Sequence, residues 1–212
     1  MKNQVKTPDS CLIGYFAALM RFRIPALVLM LAALPCLGWA DTTWTGAASQ
    51  DWNNAGNWNN GLPSSGNGQI NIAIATGNFP ILTNTASAGW DIVIGGAANG
   101  RLDQTKGSLS TGNGNWFFLG YQGHQATYNL ADTTTTGGTF TGFGQGSGSV
   151  YAGGISSPTG NLLLGLDNST APTMNINSSG TVAAGYLCVG GTGANSATLN
   201  LDNGTVNISG NA

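Results

Sequence analysis

The sequence predicts an all-β protein: a right-handed parallel β-helix or solenoid of short strands with an N-terminal tryptophan-rich cap, preceded by a signal helix. Three observations carry that prediction. Beyond residue 40 the chain holds no Glu and only Arg101 and Lys106 as cations. Three short elements recur in fixed order, with glycines 25, 45 and 25 residues apart at Gly95, Gly120, Gly165 and Gly190. Near the start, an apolar run has the proportions of an export signal.

That run is IPALVLMLAALPCLG, residues 24–38, with Arg21 and Arg23 before it and Ala40 two residues after. A membrane-spanning helix takes about 20 apolar residues, and this one has 15, interrupted by Pro25 and Pro35. Residues 1–40 therefore read as a secretory signal peptide cleaved after Ala40. Met20 is the expected true start, because MRFR leads directly into the apolar run.

The remaining 172 residues, 41–212, suffice for one domain with a real core. Two cations against seven Asp give 2 − 7 = −5 for this part. A chain without Glu and nearly without Lys or Arg lacks the usual material of helix surfaces. Gly, Asn, Thr and Ser between short Val, Ile and Leu runs favour short strands and tight turns instead. The shortage of cations also excludes nucleic acid as a partner, since phosphate binding works by releasing counterions. Cys188 is the single cysteine left after residue 40, so no internal disulfide can hold the fold.

The repeat begins with two apolar residues and Gly: Val93-Ile94-Gly95, Phe118-Leu119-Gly120, Leu163-Leu164-Gly165 and Cys188-Val189-Gly190. After the last three comes T-x-N-apolar, at residues 127–130, 173–176 and 198–201. A third element follows as Gly138-Thr139-Phe140, Gly180-Thr181-Val182 and Gly204-Thr205-Val206. A unit of about 25 residues cannot bury its own apolar face, but stacked copies can, each strand pairing with its equivalent ~4.8 Å along. In TLNLDNGTVNIS the apolar residues alternate with Asn and Asp, one face in and one out. Asn129, Asn175 and Asn200 occupy matched positions and are expected to form a side-chain ladder. About seven such units would make a rod ~35 Å long. The 45-residue gap marks one expanded unit, with residues 133–157 as loop material. On this reading, residues 41–80 form the cap and first strands, and residues 81–212 the repeats.

Residues 44–66, WTGAASQDWNNAGNWNNGLPSSG, form the cap. Trp44, Gly46, Asp51, Trp52, Asn57, Trp58, Gly61 and Pro63 set a W-x-G, D-W, N-W, G-x-P series. With this series and the glycine-rich repeats, the chain resembles the N-terminal region of bacterial autotransporter-like surface proteins with glycine-rich β-strand (parallel β-helix) repeats. The resemblance implies export, a β-helix passenger and surface display, and it implies no single activity. The sequence stops at Ala212, straight after a repeat element, and the expectation is a fragment of a longer, anchored protein. The bare repeat edge this leaves is expected to favour self-association.

Residues with chemical potential are few. Trp44, Trp52 and Trp58, set among Asp51 and Asn57, either close the end of the stack or bind a glycan; closing the stack is the better reading. Arg101, Asp103, Lys106 and His124 read as solvated loop residues, because catalysis on a glycan takes a carboxylate pair or a metal. His124 has no second His or Cys nearby, and Asp167-Asn168 and Asp202-Asn203 read as turns, not calcium ligands. No catalytic residue, metal or cofactor is assigned. The expected function is that of an exported, non-catalytic surface or extracellular protein, structural and adhesive, meeting polysaccharide or a host or neighbouring cell. The alternatives are a carbohydrate-binding module using Trp44, Trp52 and Trp58 and, behind it, a β-helix polysaccharide lyase or hydrolase.

Overall fold

The computed structural model describes residues 40–136, 139–145, 147–152, 155–156, 158–167, 171–191 and 196–210. The expected signal segment and the Met20 start lie outside these residues. Within the compact unit formed by Trp39–Ala212, every regular element among the described residues is a β-strand apart from one 3-10 turn at Ala55–Asn57.

Short runs of Ile, Val, Leu and Phe set the first sheet. Its strands are β1 (Thr42–Thr43), β2 (Ile70–Ile72), β5 (Ile92–Ile94), β8 (Phe117–Leu119), β12 (Asn161–Leu164) and β14 (Tyr186–Val189). They lie side by side in chain order, and every neighbouring pair is parallel. About seven units were expected, and this sheet has six strands.

The second sheet is strongly curled. One arm runs β3 (Ile81–Leu82), β6 (Gly100–Gln104), β9 (Ala126–Thr136), and the other β4 (Ala86–Ser87), β7 (Ser108–Ser110), β11 (Ser149–Tyr151). Both arms meet on the 12-residue β13 (Thr173–Ala184). Its first half pairs with β9, and Val182 and Ala183 in its second half pair with β11. On its other side, β15 (Thr198–Ile208) follows β13 along both halves.

Register explains the core. Ile70, Ile92, Phe117 and Leu162 stack in one row, and Ile72, Ile94, Leu119 and Leu164 in another, each at most 1% exposed. From the second sheet, Leu102, Tyr128 and Met174 face the same interior, as do Ala86, Leu109, Val150 and Val182. Each fully buried Val, Leu, Ile, Phe or Met in these rows contributes ~1.5–3 kcal/mol. A shift of one residue would turn a whole row outward, so register is strongly specified.

The repeat glycines make a corner. Gly95, Gly120, Gly165 and Gly190 have φ of 75°, 74°, 80° and 76°, a left-handed conformation that side chains resist. Their N–H groups donate to the carbonyls of Ile72, Ile94, Leu119 and Leu164 at 2.8–2.9 Å, so the corner itself is laddered.

Two details of the repeat differ from expectation. Leu162 pairs directly with Phe117, so the 45-residue gap is a single enlarged unit, as the spacing predicts. Part of its excess is a hairpin and not a loop: Thr139–Gly144 forms β10 and runs antiparallel to residues 132–136 of β9. The third element of this unit is also displaced. Val150 pairs with Leu109 and Val182, so Gly148-Ser149-Val150 fills the place assigned to Gly138-Thr139-Phe140. The sequence match to G-T-apolar was closer at 138–140, but Thr139 and Phe140 belong to β10.

Candidate functional site

The three N-terminal tryptophans lie inside the core. Trp44, Trp52 and Trp58 are 2%, 2% and 5% exposed. Trp58 meets Trp44 edge-to-face at 5.0 Å and Trp52 likewise at 4.8 Å. Their polar edges are also engaged: Trp44 Nε1 donates to the Asn78 carbonyl at 2.6 Å, and Trp58 Nε1 to the Trp52 carbonyl at 2.8 Å. A pyranose would find no open ring face here. Gly46 allows this packing, because a Cβ at its φ of +60° would lie 2.4 Å from the Asn78 carbonyl and 3.0 Å from Trp44 Nε1.

Asn57, also named as a glycan contact, is fully buried. Its Oδ1 accepts from the Ala48 and Ser49 N–H groups, both at 2.8 Å. Its Nδ2 donates to Ser49 Oγ at 3.0 Å and to the Asp51 carbonyl at 2.8 Å. All four hydrogen-bonding positions of the amide are filled, so this side chain organises the loop before Trp52. Asp51 is exposed, and its carboxylate accepts from the Asn53 N–H at 2.9 Å, an Asx turn.

Asn129, Asn175 and Asn200 do form a ladder. Asn200 donates to Asn175 at 2.7 Å and Asn175 to Asn129 at 2.8 Å. The ladder continues one strand further than the Asn pattern shows, because Asn129 donates to Asp103 at 2.8 Å. Asp103 is therefore not a solvated loop residue: it sits in β6, fully buried, and Arg101 holds it through two bonds of 2.9 and 2.7 Å. The Arg101 guanidinium also lies 4.1 Å over the Phe79 ring. Inside the core, Gln104 accepts from the Tyr128 hydroxyl and donates to the Gly107 and Ser149 carbonyls. Burial pushes the Tyr128 hydroxyl well above its usual range. Lys106 is exposed, and His124 is half-buried in a turn. Asp202 and Asn203 belong to β15 rather than to a turn. Asn168 lies outside the described residues.

An outward aromatic strip, which sequence reasoning missed, runs along β8. Phe117 and Leu119 point into the core, so Trp116 and Phe118 point away from it. Trp116 is 41% exposed. The Trp116 and Phe118 rings lie 5.7 Å apart at 47°, and the Phe118 and Tyr121 rings 5.5 Å apart at 41°. Beside them a groove of about 410 Å³ is lined by Gln69, Asn71, Asp91, Phe118, Tyr121 and Gln122, among others. Asp91 accepts from the Trp116 N–H at 2.7 Å, and Gln69 donates to Asn71 at 2.6 Å. Burial raises the Asp91 carboxyl above its ordinary range, with the Trp116 N–H pulling it partly back. The signal was the alternation in W-F-F-L, which sets Trp116 and Phe118 on the opposite face from the core residues. Trp90, 56% exposed, lines a separate groove with Ser87, Ser110 and Ile155.

Among the described residues, no three His, Cys, Asp or Glu side chains gather as metal ligands would. Comparison with known protein families, curated proteins and solved structures returns no match for this chain.

Proposed function

We propose that this chain is an exported, non-catalytic structural and adhesive protein of the cell surface or extracellular space, wound as a right-handed parallel β-helix. The observation that carries the reading is the unbroken parallel register of β1, β2, β5, β8, β12 and β14, each strand beside its equivalent one repeat away. Parallel crossovers between twisted strands are right-handed in nearly all proteins, which gives the hand. Spaced by ~4.8 Å, six coils extend for about 24 Å. The resemblance to autotransporter-like passengers supports surface display.

Such a rod works through its outside. Arg101 and Asp103 are engaged with each other and with the Asn ladder. The buried packing of Trp44, Trp52 and Trp58 favours the end of the coil over a glycan platform.

Expression of the full chain with its leader in a Gram-negative host tests the reading. The expected product is processed after Ala40, recovered outside the cytoplasm, and retained on polysaccharide-coated or cell surfaces with no sugar ends released. Unprocessed cytoplasmic protein overturns export. Release of reducing or unsaturated ends overturns the non-catalytic assignment.

A further inference from the structure

We infer that the outward strip Trp116–Phe118–Tyr121, with the groove beside it, is a binding subsite for a neutral polysaccharide whose pyranose rings present a flat C–H face. The inference rests on the adhesive reading and adds a place and a ligand class to it.

Three features converge. The rings are consecutive, 5.7 and 5.5 Å apart, and tilted rather than stacked on one another, so each keeps part of a face toward solvent. Aromatic faces of this kind attract C–H groups that carry partial positive charge, as they attract cations more strongly. Trp44, Trp52, Phe79 and Phe117 are sunk into the core, whereas Trp116 is 41% exposed. Trp116 is held outward although it sits beside a core position.

The polar groups match hydroxyls. Gln69, Asn71 and Gln122 bring amides that both donate and accept, and sugar hydroxyls do the same. Asp91 has one oxygen fixed by the Trp116 N–H, which leaves the other to accept from a hydroxyl and ties the carboxylate to the position of the strip. A groove of about 410 Å³ falls within the ~300–1,000 Å³ of small-ligand clefts. That is the scale of a few sugar residues and not of a protein partner, which covers ~800 Å² on each side.

Charge decides the class. The groove has a carboxylate and no cation among its lining residues. Uronate or sulfated chains would bring like charge to Asp91 with nothing to offset it. A neutral chain meets no such penalty.

The test is a titration of the purified, processed chain with cellohexaose and with hexa-N-acetylchitohexaose, read by tryptophan fluorescence and by saturation-transfer NMR. Hexagalacturonate is the charged comparison. Saturable binding of at least one neutral hexaose at millimolar concentration or below, weakened about tenfold in Trp116→Ala and Tyr121→Ala, is expected. Trp90→Ala should bind as the parent does, because its ring lines a different groove. Lack of saturable binding by both neutral hexaoses overturns the subsite, as does parental affinity in Trp116→Ala with an unchanged melting temperature. Equal or tighter binding of hexagalacturonate overturns the neutral class. Surface retention that persists in Trp116→Ala removes this subsite while leaving the adhesive reading standing. Loss of retention by the parent chain itself removes the adhesive reading.

Discussion

The two sides of the stack handle the same problem in opposite ways. Ahead of β2, three indoles turn edge-to-face, the Trp44 and Trp58 N–H groups donate to backbone carbonyls, and Asn57 ties the intervening loop. At the far side, β15 carries the same alternation of apolar and polar residues as β13, yet Leu201 is 53% exposed where its partner Ile176 is 2% exposed. The two strands differ little in pattern. Among the described residues β13 pairs on both sides and β15 on one, so the energetic weight of a repeat residue depends on its position in the stack more than on its type.

The largest test of that contrast is a pair of alanine substitutions. Trp58→Ala should cost about 3–5 kcal/mol in urea unfolding, because it removes the ring that both neighbouring indoles contact. Leu201→Ala should stay within about 0.5 kcal/mol. Equal losses would show that the two sides are not energetically distinct. The Asn ladder gives a finer version. Asn129→Ala leaves a buried Asp103 without one donor and should cost about 1–3 kcal/mol, whereas Asn200→Ala, at the exposed rung, should be close to neutral.

A smaller effect concerns the groove beside β8. The Asp91 carboxyl is raised in the folded chain from its ordinary 3.8, chiefly by burial. Its favourable share of stability is thus full below the unfolded pKa and lost as pH rises through the folded one. Asp91→Asn can still accept from Trp116, so its melting temperature should be slightly above the parent's at pH 7 and equal to it near pH 3. A lower value at pH 7 would mean that the ionised carboxylate stabilises the fold.

Much of this architecture was legible because stacking writes itself into sequence. Gly95, Gly120, Gly165 and Gly190 announce one corner, and the Asn series announced a ladder that the side chains do form. The failures share one cause, since sequence identity is a poor guide where a position is defined by what it pairs with. Asp103 could replace Asn in the ladder because only an acceptor was required there. Ser149-Val150 could replace Thr-Val because the row asked for an inward apolar residue, and Thr139-Phe140 pairs with β9 instead. Trp116 was overlooked because it adjoins the repeat motif without belonging to it.

The enlarged unit has a consequence for how such a chain changes over time. Between Gly120 and Gly165 it has accepted 45 − 25 = 20 extra residues, yet Phe117 still pairs with Leu162 and Leu109 with Val150. Each corner is referenced to the backbone beneath it, not to a count along the chain. New segments can therefore arise at this corner as self-contained excursions, and the β9–β10 hairpin is one already in place. A foreign segment inserted within this unit would leave the rows as they are, because the Phe117–Leu162 and Leu109–Val150 pairings do not depend on the length of chain between them.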